Sequence, residues 1–247
     1  MTRRCAALAL VVVLSGCAGD DATLTIGTKT FAEQKILAEI IRTVVHQRTG
    51  EALTITSCGD TFGCRRQLRS GAIDLMVEYS GTASIYAGGA GAVDLASLRR
   101  AYAPLGLSWL SPLGFDNGYR VAIAGHRARA ENLDSIDDLA GAGPVRFACP
   151  PTYLHRPRDG LAALAGRYGI RLADRPLDLA DPDARVGALL SGRADAAIVY
   201  ATDAALLGRD VVLLDDSLDF FPPYDAVILV REDATRGRPE LAAALTA

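Results

Sequence analysis

One ten-residue unit occurs twice in this chain, and it restricts the possible fold more than any other feature. Ser70-Gly71-Ala72-Ile73-Asp74-Leu75-Met76-Val77-Glu78-Tyr79 returns as Ser191-Gly192-Arg193-Ala194-Asp195-Ala196-Ala197-Ile198-Val199-Tyr200. Ser, Gly, Asp and Tyr keep their spacing, and each copy follows a leucine-bearing helical run (Leu68; Leu189, Leu190). Gly tolerates the left-handed backbone that closes a helix. The apolar run that follows has the length of a buried strand and ends on a tyrosine. Ligands of open α/β sheets bind outside the carboxyl ends of the strands. Two copies therefore predict an α/β chain of two lobes, each presenting a tyrosine to a shared cleft. Asp74 is expected to serve the turn that starts its strand rather than any catalysis.

The N-terminus reads as a targeting segment. Arg3 and Arg4 precede an apolar stretch from Ala6 to Leu14 that is too short for a membrane span. Leu14-Ser15-Gly16-Cys17 then has the form of a bacterial lipoprotein signal. A signal peptide over 1–16, lipidation of Cys17 and a tether over 17–22 are expected. The mature chain would be exported and held by acyl chains on the outer face of the cell membrane. Loss of Arg3 and Arg4 moves the net charge from −3 to −5, which leaves no basic excess to attract a nucleic acid.

Export makes disulfide chemistry available to Cys58, Cys64 and Cys149. Three single pairings are open, and proximity favours Cys58 with Cys64. The three histidines, His46, His126 and His155, show no ligand spacing with one another or with a cysteine. No metal or cofactor is expected. Gly-x-Ser-x-Gly and a phosphate-binding Gly-Lys-Ser/Thr are both missing from the sequence, so an enzyme is not expected either.

In chain order, Thr23 to Gly27 alternates like a strand, and residues 36, 37, 40, 41, 44 and 45 form one helical stripe after it. Thr30 with Glu33 has the capping-box spacing at that helix start. Gly88 to Gly91 reads as a surface loop. Leu107 to Leu113 is expected to be interrupted near its end by Pro112. A strand, Tyr119 to Ile123, leaves the turn Phe115-Asp116-Asn117-Gly118, and an apolar strand over 226–230 follows the proline-rich Phe220-Phe221-Pro222-Pro223-Tyr224. The expected organisation is a first lobe from 23–114 and 215–247, with a second lobe, 115–214, inserted through two hinge crossings.

Several of these pieces resemble one family: Gly27-Thr28-Lys29-Thr30-Phe31-Ala32-Glu33-Gln34, Gly59-Asp60-Thr61, Glu78-Tyr79-Ser80-Gly81-Thr82, Gly114 to Tyr119, Thr202-Asp203, and Phe220 to Tyr224. The chain is similar to the substrate-binding proteins of ABC importers for glycine betaine, choline and related osmoprotectants. The resemblance implies a type II periplasmic-binding fold, a quaternary ammonium ligand, and a permease with a separate ATPase subunit as partner. It also implies a monomer. A quaternary ammonium has no N–H to donate and a diffuse charge, so several aromatic faces suit it, each contributing about 0.5–2 kcal/mol when desolvated. Tyr79, Tyr119, Tyr200 and Tyr224 are the expected box. Tyr153 is a fifth aromatic candidate, Thr61, Gln34 and Asn117 are polar candidates, and Arg156 or Arg158 is the candidate for a ligand carboxylate. The competing readings are the same fold binding an amino acid, and a sensor lipoprotein with a degenerate site.

Overall fold

The computed structural model describes residues 23–86, 94–156, 158–173 and 175–246. The signal segment 1–16, Cys17 with its tether, and the loop expected at Gly88 to Gly91 lie outside the described residues. Ten strands are present among those described: β1 (Leu24–Lys29), β2 (Leu53–Gly59), β3 (Leu75–Tyr79), β4 (Leu107–Asp116), β5 (Tyr119–Ala124), β6 (Phe147–Cys149), β7 (Leu177–Asp178), β8 (Ala196–Tyr200), β9 (Val211–Leu213) and β10 (Asp225–Arg231). They form two five-stranded mixed sheets, ordered β2-β1-β3-β10-β4 and β7-β6-β8-β5-β9. The chain passes between the sheets twice, at Asn117-Gly118 and again between β9 and β10.

The repeated unit occupies the third position of each sheet, and its aspartate has the same task in both. The Asp74 carboxylate accepts from Thr25 N at 2.8 Å, while Asp74 N donates to Thr25 O. Asp195 does this with the backbone of Arg146, at 2.9 Å for the carboxylate bond, and adds an ion pair to the Arg146 guanidinium. Each aspartate thus joins its strand to the start of the parallel neighbour, β1 or β6. Gly71 and Gly192 sit at φ 79° and 70°, the left-handed turn that releases the helix into the strand.

Alternation in the strands sorts side chains to the two faces of each sheet. Leu75, Val77 and Tyr79 of β3 belong to the large core, while Met76 packs into the separate cluster containing Leu68, Leu98 and Trp109. Tyr79 therefore faces the helix Ala32–Thr49, which contributes Ala38, Ile41 and Val45 to the same core. That large core continues through Tyr119, Tyr153 and Tyr224 into the second sheet.

Two local expectations are corrected. The first helix starts at Ala32 with Phe31 as its N-cap and no side-chain cap bond, so Thr30 and Glu33 form no capping box. The strand expected to break near Pro112 runs on to Asp116 as β4. It tolerates the proline because it is an edge strand whose register against β10 is irregular at Pro112.

Candidate functional site

Aromatic side chains from the second sheet, from Tyr153 after β6 and from the segment joining β9 to β10 meet around Tyr119. Its ring centroid lies 4.8 Å from that of Tyr153, 5.0 Å from Tyr200, 5.5 Å from Tyr224 and 6.2 Å from Phe221. Antiparallel pairing of β5 with β8 sets Tyr119 directly opposite Tyr200. Tyr224 and Phe221 arrive on the proline-rich segment, whose path is held from several sides. Asp216 accepts from the N–H groups of Phe220 and Phe221, and Asp116 accepts from Tyr224 N. Ser80 donates to Pro223 O and accepts from Asp225 N, both at 3.0 Å. A Cβ at Gly81 would stand 2.8 Å from Pro223 O and from the Tyr224 ring, so only glycine permits this approach.

A cation already lies on these rings. The Arg156 guanidinium carbon is 5.2 Å from the Tyr119 centroid and 5.7 Å from that of Tyr224. Asp159 holds it in a bidentate pair at 2.7 and 2.8 Å, and Nη2 also donates to the Tyr224 hydroxyl at 2.7 Å. The Tyr224 hydroxyl in turn donates to Asp159. Burial works against the Arg156 charge, but the bond to Asp159 together with the electrostatic attraction of Tyr119, Tyr224 and Asp159 more than offsets it, so the guanidinium is held above its usual pKa. The structure thus distinguishes the two arginine candidates. Arg156 is seated among the rings, whereas Arg158 is exposed.

Tyr79 joins the site through hydrogen bonds. Its ring neighbour among the described residues is Phe31 at 6.3 Å, and Lys29 Nζ lies 4.9 Å from its centroid. Lys29 pairs with Glu78, and both are buried. The Tyr79 hydroxyl donates to Glu33 and accepts from Gln34 Nε2 at 3.0 Å. Gln34 is 1% exposed and also donates to Val77 O, so it orients Tyr79 from behind. Asn117, at the crossing, donates to Glu33 at 2.9 Å, and its Oδ1 lies 2.8 Å from the Thr202 hydroxyl. Thr61 is half-buried at the first position of the helix Thr61–Ser70. Tyr153 is fully buried behind Tyr119 and its hydroxyl has no hydrogen-bond partner among the described residues, so it supports the ring of Tyr119.

Sequence reasoning missed four contributors: Glu33, Phe221, Asp159 and Arg185. Arg185 is fully buried, donates to Leu179 O, Ala180 O and Asp203, and sits 5.9 Å from the Tyr200 centroid. Asp203 also accepts from Tyr200 N, so this pair shapes the turn that presents Tyr200 and Thr202. Nothing local marks Arg185, which the helical pattern places among ordinary leucines and alanines. Phe221 was legible as part of its motif but not as a ring partner.

Cys58 is bonded to Cys64, with Cα atoms 4.7 Å apart, tying the end of β2 to the helix behind it. Cys149 is free and buried, and burial pushes its thiol up to about 12.

Burial also raises the phenols of Tyr79, Tyr119, Tyr153 and Tyr224 above 10.0, and Glu33 adds to the effect at Tyr79. An unfolded chain releases these protons near pH 10 and the folded chain retains them. The stability they carry is complete below pH 10 and falls as the pH rises beyond it. In an alkaline titration these four are expected to ionise only as the fold opens. A complete phenolate signal with native circular dichroism contradicts this.

Comparison with known proteins identifies a family, relatives and a matching fold. Residues 22–247 match the family model of the substrate binding domain of ABC-type glycine betaine transport systems. The glycine-betaine-binding protein of Pseudomonas aeruginosa is 30% identical over 235 residues, covering 89% of this chain and 75% of the relative. The carnitine transport binding protein OpuCC of Listeria monocytogenes is 25% identical over 229 residues, covering 89% and 73%. The fold matches a crystal structure titled for a glycine betaine/carnitine/choline ABC transporter at a TM-score of 0.76 and 22% identity. That match covers 90% of this chain and 85% of the other.

Proposed function

The chain belongs to the family of substrate-binding domains of ABC-type glycine betaine transport systems, and from that premise we propose that it captures a quaternary ammonium solute on the ring cluster around Tyr119. Membership makes it a transport component rather than an enzyme. The lobes, 23–114 with 215–247 and the inserted 115–214, close on the solute and deliver it to a permease driven by a separate ATPase. Lipidation at Cys17 keeps the monomer at the outer face of the membrane. Among the described residues no helix is long and apolar enough to cross a membrane.

The observation that carries this reading is the convergence of Tyr119, Tyr200, Tyr224 and Phe221 from different elements on one place where a cationic side chain already rests. Aromatic faces that accept a guanidinium accept a trimethylammonium by the same quadrupole attraction, about 0.5–2 kcal/mol per ring. Tyr79 completes the box from the first sheet. Glycine betaine and carnitine, which the names of two relatives carry, share a trimethylammonium and a carboxylate. The rings suit the first group and Arg156 suits the second. Closure driven by such a ligand requires contacts with both lobes, and Tyr79 and Tyr200 provide one from each.

Calorimetric titration tests the reading with glycine betaine, choline, carnitine and proline betaine, beside arginine and glutamine. Saturable heat is expected with quaternary amines and none with the two amino acids. Binding of arginine or glutamine with no response to any quaternary amine sinks it.

A further inference from the structure

We propose that Glu33 is a clasp that couples closure of the two sheets to the placement of Tyr79. Its carboxylate is bonded from three parts of the fold at once. Oε1 accepts from the Tyr79 hydroxyl at the end of β3 and from Asn117 Nδ2 at the crossing, 2.9 Å away. Oε2 accepts from the Thr202 hydroxyl, 2.5 Å away, in the turn after β8 of the other sheet. Thr202 Oγ1 also lies 2.8 Å from Asn117 Oδ1; its single proton serves one of the two oxygens at a time, and the charged carboxylate is the better acceptor.

The donors are all neutral and the acceptor is charged. Such bonds are stronger than those between neutral groups. Three other carboxylates at the site each have a cation: Glu78 has Lys29, Asp159 has Arg156, and Asp203 has Arg185. Glu33 spends its lone pairs on hydroxyl and amide donors instead. It is also released from the local task its position in the helix predicts, since the helix has no side-chain cap. The carboxylate therefore reads the position of the second sheet through Thr202 and transmits it to Tyr79, a member of the proposed box. The Arg185–Asp203 pair holds the Thr202 turn in reach from below.

In this role Glu33 and Thr202 are positioning residues, and the clasp rests on the reading that the box binds a quaternary ammonium. Parting of the sheets breaks the Thr202 bond first, so its loss belongs in the rate of ligand release. Thr202→Val removes the hydroxyl and keeps the shape. Stopped-flow fluorescence with glycine betaine and choline is expected to show release accelerated about 10-fold, the size of one hydrogen bond to a charged group, with association unchanged. Thr202→Ser is expected to restore the wild-type rate. The double variant Glu33→Ala/Thr202→Val should lose less than the sum of the two single losses, because both single changes remove the Glu33–Thr202 bond. An unchanged release rate in Thr202→Val overturns the clasp, as does additivity in the double variant.

Small-angle scattering of the ligand-free proteins reads the clasp without reference to any ligand. Thr202→Val is expected to have a larger radius of gyration than wild type, and equal radii overturn the clasp even where no quaternary amine binds. Failure of the wild-type protein to bind any of the amines overturns only the capture reading.

Discussion

Tyr119→Ala is expected to abolish quaternary ammonium binding and to lower stability by about 3–5 kcal/mol, the usual cost of truncating a large buried ring. The ring contacts Tyr153, Tyr200, Tyr224 and Phe221 and lies beneath the Arg156 guanidinium. Its loss leaves a hole between β5, β8 and the proline-rich segment, and the surrounding rings have no other common partner to hold their angles. In a chain of this size the melting temperature should fall by about 10 °C. Tyr119→Phe separates ring from hydroxyl. It keeps every ring contact, so binding within about 5-fold of wild type and a nearly unchanged melt are expected. Calorimetry and thermal denaturation of the two variants decide the matter. A Tyr119→Ala protein that still binds choline at wild-type affinity removes the ring cluster from the binding site.

Arg156→Ala should change selectivity more than any other single substitution. It removes the guanidinium from the Tyr119 and Tyr224 rings and leaves Asp159, whose side chain is 3% exposed, without its cation. Breaking a buried pair from one side costs about 3–5 kcal/mol of stability. For binding, the site loses the group suited to a ligand carboxylate and gains an unbalanced negative charge. Both changes favour choline, a net cation, over the zwitterion glycine betaine. The ratio of the two affinities is expected to shift toward choline by at least about 10-fold, the worth of one charge-assisted bond. Asp159→Ala leaves the opposite charge, an uncompensated guanidinium on the rings, and is expected to eliminate choline binding. Equal losses for both ligands in Arg156→Ala would falsify a carboxylate role for this arginine.

Much of the architecture was legible because it is recorded locally. Gly71 and Gly192 mark left-handed turns, Asp74 and Asp195 stand where a strand must be joined to its parallel neighbour, and alternation in β3 and β10 assigns the faces. Pro112 misled because a proline stops a strand only where its missing N–H is needed, and an edge strand does not need it. The Thr30–Glu33 spacing misled for a different reason. A capping box contributes about 1 kcal/mol, and a carboxylate offered three donors by the tertiary fold has better partners elsewhere.

The repeated unit, read from the sequence alone, determined that there would be two lobes and that a tyrosine would end a buried strand of each. Those are consequences of backbone geometry and of short-range hydrogen bonds, which neighbouring residues control. The environment of those tyrosines was decided only by the tertiary structure. Tyr200 faces Tyr119 because β5 runs antiparallel to β8, and Tyr79 meets Glu33 because the first helix, which carries Glu33, covers the face of β3 on which Tyr79 stands. Arg156 rather than Arg158 reaches the rings because Asp159 folds its guanidinium back onto Tyr224. Partners this distant in the chain leave no periodic trace, since only strand pairing and helix packing in the folded chain bring them together.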